Sequence, residues 1–295
     1  MSDHGFPEEE ALLVVERALD EDLGSAGSGG RDVTTLATIA PGQESVAHLV
    51  ARGPGVLAGM RVVALVLDAV ARRLGTGWVD VEPHRPEGAV VERGAHLATL
   101  RGPTRTMLVA ERTVLNVLCR TSGVATHTRR WADALAGTGA LVLDTRKTTP
   151  GLRALEKYAV RCGGGTNKRM GLYDVAMVKD NHKLAAGGLT GAWAAVRRAY
   201  PDVEIQVEVT TVAEALEAVG VGARFLLCDN MSPALLRETV DAVRGTGERV
   251  ELEATGGLTL EVAREYAQTG VDFLSVGALT HSSPIVDIAL DVEPA

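Results

Sequence analysis

The chain has 295 residues, of which 46% are hydrophobic, 23% charged and only 3% aromatic, and its formal net charge is −8 at pH 7. This length suits one large domain or two modest domains, each with a substantial core. The negative charge and the few aromatic rings argue against nucleic-acid binding, which uses basic patches and stacking side chains.

The cysteines and the N-terminal segment predict a cytoplasmic location. Cys119, Cys162 and Cys228 are odd in number and form no CxxC pair. This argues for a reducing compartment and against a disulfide framework or a zinc site, and each thiol is predicted to be buried and inert. The N-terminus is acidic with helical periodicity, unlike a signal peptide. The longest nearly apolar run, residues 62–71, is broken by Asp68 and is too short to span a bilayer.

The N-terminal part of the chain predicts a mixed α/β unit. Helices are predicted from Pro7 to about Asp20, over residues 60–74, and over residues 105–136 with Gly123 as the only internal glycine before the end. A flexible glycine-rich loop is predicted over residues 24–31. Strands are predicted at AHLVAR, at residues 78–82 and within residues 88–101.

From Ala140 onward, short apolar runs alternate with helical segments. The runs are LVLD, VAMVKD, IQVEV, FLLCDN, VELEAT and FLSVG, and a weaker run, YAVR, lies between the first two. Helix starts are indicated by Thr211 with Glu214, by Ser232-Pro233 and by Thr259. This alternation predicts βαβ units and a parallel sheet. Six or seven units favour an incomplete, open α/β barrel, with an open doubly wound sheet as the alternative, although no GxGxxG motif follows the first strand.

One segment is strongly basic within this acidic chain. Residues 144–183 hold nine Lys and Arg against four acids, and they include the glycine triplet 163–165. Glycines permit close approach of the backbone, and Arg and Lys neutralise phosphates or carboxylates, so the segment predicts a small, multiply anionic ligand. A solvated basic face around a flexible loop is the alternative.

Polar residues follow the predicted parallel strands, whose carboxyl ends share one face of the fold. They are Arg146, Lys147, Lys179, Glu208, Asp229, Thr255-Gly256-Gly257 and Gly277-Ala278. The two glycine turns occupy positions that often bind phosphate. Cations with carboxylates predict a ligand that carries anionic groups and either hydroxyls or Mg²⁺. Any one of these residues could instead be an ion-pair partner.

Several motifs together resemble one enzyme family. They are DTRKTTPGLRALEKYAVRCGGGTNKRMGLYD, VKDNH, VEV, LLCDN, EATGG and SVGALTHS, with EDLG…DVTT and AERTVLNVLCRTSGVAT before them. In order and spacing they resemble the quinolinate phosphoribosyltransferases, also called carboxylating nicotinate-nucleotide pyrophosphorylases. The resemblance implies an N-terminal α/β sandwich over residues 1–118, an open α/β barrel over 119–278, and a return of residues 279–295 to the first domain, as in type II phosphoribosyltransferases.

The resemblance also implies a reaction. Quinolinate and phosphoribosyl pyrophosphate would give nicotinate mononucleotide, pyrophosphate and CO2, with Mg²⁺ as cofactor, in NAD biosynthesis. Arg146 and Arg169 would bind the quinolinate carboxylates, and Lys147 and Lys179 would lie between the two substrates. Glu208 and Asp229 would face the ribose and Mg²⁺, directly or through water.

The remaining implied roles concern phosphate binding and assembly. Gly256, Gly257 and Gly277, with Thr255 beside them, would hold the 5′-phosphate. Arg112 would be offered to the active site of a partner subunit, which makes a homodimer or a larger homo-oligomer the expected assembly. Neither nucleic acid nor a membrane is an expected partner.

Two residues depart from the family pattern. Lys168 stands where the family usually has histidine, and Thr255 stands where a serine is expected. Lys168 keeps a positive charge at a predicted substrate-binding position, so the favoured interpretation is tolerated drift. The alternative is a paralogous enzyme that transfers phosphoribose to a different pyridine or aryl carboxylate. A catalytically inactive ligand sensor is a third hypothesis, although all the charged site positions remain suitable for chemistry.

Overall fold

The computed structural model of the protein describes residues 5–24 and 31–293. The predicted glycine-rich loop therefore lies outside the described residues except for Gly24 and Arg31, as do the last two residues of the C-terminal segment. The helices are α1 (Glu8–Leu23), α2 (Val33–Thr38), α3 (Met60–Leu74), α4 (Thr104–Leu135), α5 (Arg153–Cys162), α6 (Asp180–Ala185), α7 (Leu189–Ala199), α8 (Val212–Gly220), α9 (Pro233–Gly245), α10 (Leu260–Ala267) and α11 (Ala278–His281). The strands are β1 (Glu44–Ala51), β2 (Gly55–Val56), β3 (Asp80–Pro83), β4 (Val90–Val91), β5 (His96–Pro103), β6 (Leu141–Leu143), β7 (Val175–Val178), β8 (Glu204–Val209), β9 (Phe225–Asp229), β10 (Glu251–Thr255), β11 (Phe273–Ser275) and β12 (Ile288–Val292).

The chain divides into two compact units. Unit 1 contains residues 1–129, 148–164 and 280–295, and unit 2 contains residues 130–147 and 165–279. These limits differ from the predicted boundary at 118/119, because residues 119–129 and 148–164 also belong to unit 1. The C-terminal strand β12 pairs antiparallel with β1, so the end of the chain lies in the unit that contains its beginning.

Unit 1 is built on a four-stranded antiparallel sheet in the order β12-β1-β5-β3. Its apolar core includes Leu49 and Leu100 from the sheet, Leu67 from α3 and Met107 from α4, each at most 1% exposed. The apolar residues of α3 recur at helical spacing, which explains why its predicted bounds match the observed helix. Unit 1 is therefore the predicted α/β unit with a sheet and packed helices.

Unit 2 is built on a six-stranded parallel sheet in the order β6-β11-β10-β9-β8-β7. From β7 to β11 the strands follow one another without a reversal, and β6 joins beyond β11. A doubly wound sheet would reverse direction at a switch point, so this order is that of a barrel. The paired strands end at β6 and β7, so the barrel is open and the prediction of an incomplete barrel is confirmed.

The weak YAVR run is a helix, which corrects the possible seventh unit. It lies within α5, where seven of the ten residues are buried, among them Leu155, Tyr158, Ala159 and Cys162 at spacings of three and four residues. That period places them on one helical face, so helical packing decides the structure over the β propensity of Tyr and Val. The observed sheet therefore has six strands.

The predicted helix-start signals coincide with helix N-termini in unit 2. The Thr211 side chain accepts a hydrogen bond from the Glu214 N–H at 3.2 Å, and Ser232 accepts one from Leu235 N–H at 3.3 Å. Pro233 occupies the first helical position of α9, and Thr259 precedes α10 without a side-chain cap bond. None of the described helices combines the length and the apolar character that a membrane crossing requires.

Gly123, inside α4, allows a close backbone approach within unit 1. A Cβ atom at Gly123 would lie 2.1 Å from the Pro284 carbonyl oxygen and 2.9 Å from the Ile285 Cα. We expect Gly123→Ala to destabilise the protein by about 1–3 kcal/mol, because the overlap outweighs the better helix propensity of alanine. The measurement is the free energy of unfolding in denaturant. Gly220→Ala in α8 is the matched control, since its Cβ would meet nothing within 4 Å; equal effects of both variants would contradict the expectation.

Candidate active site

A cavity of about 570 Å³ opens at the carboxyl ends of the parallel strands in unit 2. All its lining residues belong to unit 2. They are Thr145, Arg146, Lys147, Lys168, Arg169, Met177, Lys179, Glu208, Leu227, Asp229, Asn230, Glu253, Thr255, Gly256, Gly257 and Ser275. The lining thus contains five cations and three carboxylates, contributed by the ends of neighbouring strands and the segments that follow them.

The period of the β-strand explains which residues reach the cavity. Met177 and Lys179, Leu227 and Asp229, and Glu253 and Thr255 are each two residues apart and line the same cavity. Side chains at this spacing lie on the same side of a strand. Strands β7, β9 and β10 therefore each supply one residue at or just after the strand end and another one layer deeper.

Lys179 and Glu208 form an ion pair at the mouth of the cavity. The Lys179 Nζ lies 2.7 Å from Glu208 Oε2, with side chains 47% and 10% exposed respectively. Lys179 is also the N-cap residue of α6, and its N–H donates to His182 Nδ1 at 3.1 Å. A half-exposed lysine is available to an anionic ligand, while the mostly buried carboxylate is held in place by its partner.

Lys183 anchors α6 to the carboxyl end of β8. Its Nζ donates to the Glu208 carbonyl oxygen at 3.0 Å and to Glu214 Oε1 at 2.9 Å. Burial opposes the charge on this lysine, but hydrogen bonds to Asp180 and Glu214 outweigh it and raise the pKa of Lys183. Lys183 thereby fixes the helix that begins after Lys179 against the strand that carries Glu208.

Two arginines lie side by side in the cavity. Arg169 donates from Nη1 to the Val175 carbonyl oxygen at 2.8 Å. Partial burial, and next the nearby charge of Arg146, lower the pKa of Arg169. Arg146 Nε is buried and has no hydrogen-bond partner among the described residues. Adjacent guanidinium groups that repel each other favour an anion between them, and carboxylates match their geometry.

Lys168 is held at the floor of the cavity by Glu253. Its Nζ lies 2.6 Å from Glu253 Oε1 and also contacts Oε2, and the two side chains are 7% and 0% exposed. Burial lowers the pKa of Lys168, and Glu253 opposes this effect. The Lys168 N–H donates to Asp144 Oδ1 at 2.8 Å. The lysine that replaces the family histidine is thus a fixed group.

Asn230 links the ends of β9 and β10 beside the glycine turn. Its N–H donates to the Thr255 carbonyl oxygen at 2.9 Å, and its Nδ2 donates to Asp229 Oδ2 at 2.8 Å. Asn230 has a φ of 53°, a region that asparagine tolerates better than most residues. A Cβ on Gly256 would lie 2.3 Å from Asn230 Oδ1, so only glycine fits there. This packing leaves the backbone of the turn accessible from the cavity.

Ten of the predicted site residues line the cavity together. They are Arg146, Lys147, Lys168, Arg169, Lys179, Glu208, Asp229, Thr255, Gly256 and Gly257. Gly277 precedes α11 and is not among the lining residues. Arg112 lies exposed on α4 in unit 1, and it forms no hydrogen bond or ion pair with other residues of 5–24 and 31–293. The prediction that Arg112 acts on a partner subunit stays a prediction.

The glycine triplet has a different role from the predicted one. None of its residues lines the cavity. A Cβ on Gly163 would lie 2.4 Å from the Ala125 carbonyl oxygen and 2.6 Å from the Thr128 Cβ. Gly163 therefore permits α5 to end close against α4 within unit 1, and the prediction that it approaches a ligand was wrong.

Sequence reasoning missed the buried acid Glu253 and also Asn230, Thr145 and Ser275. The period of the β-strand could have identified Glu253, because this residue lies two positions before Thr255 and therefore on the same face of the strand. All three cysteines are buried thiols outside any disulfide. Burial, and next Glu253, raise the pKa of Cys228 to about 12, which keeps this thiol protonated and unreactive.

Two family models together match most of the chain. The model described as "Quinolinate phosphoribosyl transferase, N-terminal domain" matches residues 32–122, and the corresponding C-terminal domain model matches residues 124–291.

Known proteins match over nearly the whole length. The nicotinate-nucleotide pyrophosphorylase [carboxylating] of Mycobacterium leprae is 45% identical over 279 residues, covering 95% of this chain and 96% of that protein. The quinolinate phosphoribosyltransferase [decarboxylating] 1 of Nicotiana glauca is 38% identical and covers 95% of this chain and 81% of its own. The solved structure of the Francisella tularensis nicotinate-nucleotide pyrophosphorylase superposes with a TM-score of 0.87 at 32% identity, over 97% of each chain. The chain therefore belongs to the quinolinate phosphoribosyltransferase family.

Proposed function

We propose that this protein transfers phosphoribose from phosphoribosyl pyrophosphate to quinolinate and releases pyrophosphate and CO2, forming nicotinate mononucleotide for NAD biosynthesis. The observation that carries the proposal is that five cations lie beside Glu208 and Asp229, at adjacent strand ends, in one cavity. Two polyanionic substrates need such a set of cations, and a developing positive charge on ribose needs carboxylates close by.

The two arginines and Lys168 would bind the acceptor. Arg146 and Arg169 are adjacent, partly buried cations, and a dicarboxylate between them would relieve their mutual repulsion. Lys147 and Lys179 would then lie between the acceptor and the phosphoribosyl donor. The Gly256-Gly257 turn, with positive φ values of 95° and 60°, would hold the 5′-phosphate with backbone N–H groups.

The first chemical step exchanges one bond for another at the anomeric carbon. The pyridine nitrogen donates its electron pair to this carbon, while the bond to the pyrophosphate oxygen breaks and its electrons leave with pyrophosphate. Positive charge develops on ribose during the exchange. Glu208 and Asp229 would stabilise that charge, and Lys147 and Lys179 would stabilise the departing anion.

Decarboxylation uses the cationic ring that the first step makes. The carbon–carbon bond to the carboxylate next to the ring nitrogen breaks, and CO2 leaves. The electron pair that stays on the ring carbon is stabilised by the adjacent positive nitrogen. The ring carbon then takes up a proton. The protein needs only to hold the second carboxylate in place, and water that reaches the ring after CO2 has left would supply the proton.

Two carboxylates in the cavity, those of Glu208 and Asp229, would suit a magnesium ion that also binds the substrate. No cluster of three or more potential ligands from His, Cys, Asp or Glu exists among the described residues. Mg²⁺ commonly takes one or two protein carboxylates and fills its remaining positions with water and phosphate oxygens. Glu208 and Asp229 would hold it directly or through water, and bound Mg²⁺ would supply charge neutralisation to the pyrophosphate group.

Assembly and location are further parts of the proposal. A homodimer or larger homo-oligomer would bring Arg112 of one subunit to the cavity of another, and the exposed, unpaired position of Arg112 among the described residues supports this. A cytoplasmic location is supported by the three cysteines, which remain thiols.

The test is a turnover assay with purified protein, phosphoribosyl pyrophosphate and Mg²⁺. Quinolinate, nicotinate and related aryl carboxylates are compared, and release of CO2 and pyrophosphate is measured. We expect turnover with quinolinate and stoichiometric CO2. Turnover with another acid but not with quinolinate would establish the altered-acceptor alternative that Lys168 raises, and binding without any turnover would establish the sensor.

Glu208→Gln and Asp229→Asn are expected to lower the maximal rate more than they weaken quinolinate binding. The reason is that their proposed partners are ribose, metal and developing positive charge, which matter most in the transition state. Steady-state kinetics and calorimetric binding of quinolinate separate the two effects. The control is Glu238→Gln on the exposed face of α9. A loss confined to quinolinate affinity would contradict these roles.

A further inference from the structure

The Lys168–Glu253 pair is the most deeply buried charged contact of the cavity. Glu253 is fully buried and Lys168 nearly so. Removing either partner from such a pair leaves an uncompensated charge in a poorly solvated place, which is strongly destabilising. The position and the charge of the Lys168 ammonium therefore depend on Glu253.

Lys168 is fixed at both ends. Its backbone N–H donates to Asp144 Oδ1, and the other Asp144 oxygen accepts from Asn167 Nδ2 at 2.6 Å. Its ammonium contacts Glu253 and lies 5.6 Å from the centre of the Phe225 ring. That ring stacks on Phe273 with 5.8 Å between centroids, which gives the cation a rigid apolar support. A lysine held in this way presents its charge to the cavity from one defined position.

The cations of the cavity differ in whether they have a carboxylate partner. Lys168 is balanced by Glu253, and Lys179 is paired with Glu208. Arg146 and Arg169 line the cavity together and would hold one carboxylate of the acceptor between them. A ligand with a second carboxylate on the same ring needs another cation at a fixed distance from the arginines, and Lys168 lines the cavity beside Arg169 in sequence.

We propose that Glu253 is a positioning residue, which fixes the Lys168 ammonium so that this lysine selects aromatic acids with two neighbouring carboxylates over acids with one. The proposal rests on the proposed function, because it takes the cavity to be the acceptor site. Glu253 itself touches Lys168 and is not proposed to touch the substrate.

Four proteins test the proposal against the wild type: Lys168→Met, Glu253→Gln, the double variant and the control Glu251→Gln. Glu251 lies in the same strand and is exposed. Calorimetric titration with quinolinate and with nicotinate gives dissociation constants that do not depend on turnover, and thermal unfolding gives stability. Each single variant should unfold at a lower temperature than the wild type, and the double variant should recover most of this loss, because it leaves no unpaired buried charge.

The binding results distinguish a positioning role of Glu253 from a purely structural role of the Lys168–Glu253 pair. We expect the quinolinate dissociation constant to rise about tenfold or more in Lys168→Met, in Glu253→Gln and in the double variant, while that of nicotinate changes less than about twofold. The two substitutions should not add, since Glu253 acts through Lys168. A stable double variant that binds quinolinate like the wild type would show a purely structural pair. Additive losses, or equal losses for both acids, would also overturn the proposal.

The pH dependence of quinolinate binding gives a second readout. Other charges around the pair are those of Arg146, Lys147, Arg169, Lys179, Glu208 and Asp229, with Asp144 at the Lys168 N–H. Burial lowers the pKa of Lys168, and the carboxylate of Glu253 offsets only part of this lowering. In Glu253→Gln, Lys168 should therefore lose its proton at a lower pH, and quinolinate affinity should begin to fall at a lower pH than in the wild type. An unchanged alkaline limb in Glu253→Gln would contradict the proposal.

Failure of the proposed function is distinguishable from failure of this inference. Wild-type protein that binds quinolinate through the pair but never turns it over refutes the proposed reaction and leaves the positioning role supported. Wild-type turnover of quinolinate with an unaffected double variant supports the reaction and refutes the role. Wild-type protein that binds neither acid overturns both.

Discussion

Lys147→Ala and Lys179→Ala are each expected to lower turnover by roughly two to four orders of magnitude, from a loss of about 3–5 kcal/mol. Both lysines line the cavity, and both are exposed to solvent when no ligand is bound. Substrates that fill the cavity would exclude this water. Their anionic groups would then lack a cationic partner in either variant, at the point where charge accumulates on the leaving pyrophosphate.

The measurement is turnover at saturating quinolinate and phosphoribosyl pyrophosphate, with thermal unfolding to establish that each variant is folded. Lys179→Ala carries an added effect, because Glu208 loses the partner that lies 2.7 Å away. Arg237→Ala removes a positive charge from the exposed face of α9 and serves as control. Near wild-type turnover by either lysine variant would refute its assignment to the site.

The open barrel could be predicted from the sequence because its signals are local and repeated. Each strand of unit 2 is an apolar run with a polar end, and residues such as Thr211 and Ser232 begin the following helices. Parallel strands then place those polar ends together without further information. The YAVR run was ambiguous for the same local reason: a short apolar run fits a strand or a buried helix, and only packing decides.

The deeper layer of the site could be predicted only in part: strand period places Glu253 on the same face as Thr255, but it does not reveal the partner of Glu253. Glu253 lies inside an apolar run, and only its contact with Lys168, 85 residues away in sequence, explains a fully buried acid there. Likewise Gly163 is required by the close approach of α4, which no local pattern encodes. From charge composition alone, the nine Lys and Arg of residues 144–183 were predicted to bind one ligand. The cavity is lined by five cations from this segment, and others, such as Lys183, hold helices in place.

The role of Arg112 is the prediction that depends most on assembly. Arg112 lies more than 30 residues ahead of Arg146 in sequence and belongs to unit 1, whereas unit 2 alone supplies the lining of the cavity. Its guanidinium is exposed and unpaired among the described residues, although its flank in α4 is largely buried. An arginine that only supports its own domain would be expected to contact an acid of that domain. Arg112 is therefore well suited to reach a second subunit.

Mixing Arg112→Ala protein with Lys147→Ala protein should restore activity if each active site uses Arg112 from its partner. Both homodimers are expected to be nearly inactive. In a symmetric dimer each chain gives and receives the same residue, so a heterodimer has one site that lacks both side chains and one that lacks neither. Random exchange of equal amounts makes about half of the dimers heterodimers, and about a quarter of the wild-type site activity should return.

Subunit exchange is verified by mass-tagged subunits. The control is a mixture of Lys147→Ala with Lys179→Ala, because those two residues lie in the same cavity and no intact site can form. Demonstrated exchange without restored activity in the test mixture would show that Arg112 acts within its own chain or only structurally. Restored activity in the control would show that recovery does not report an intact shared site.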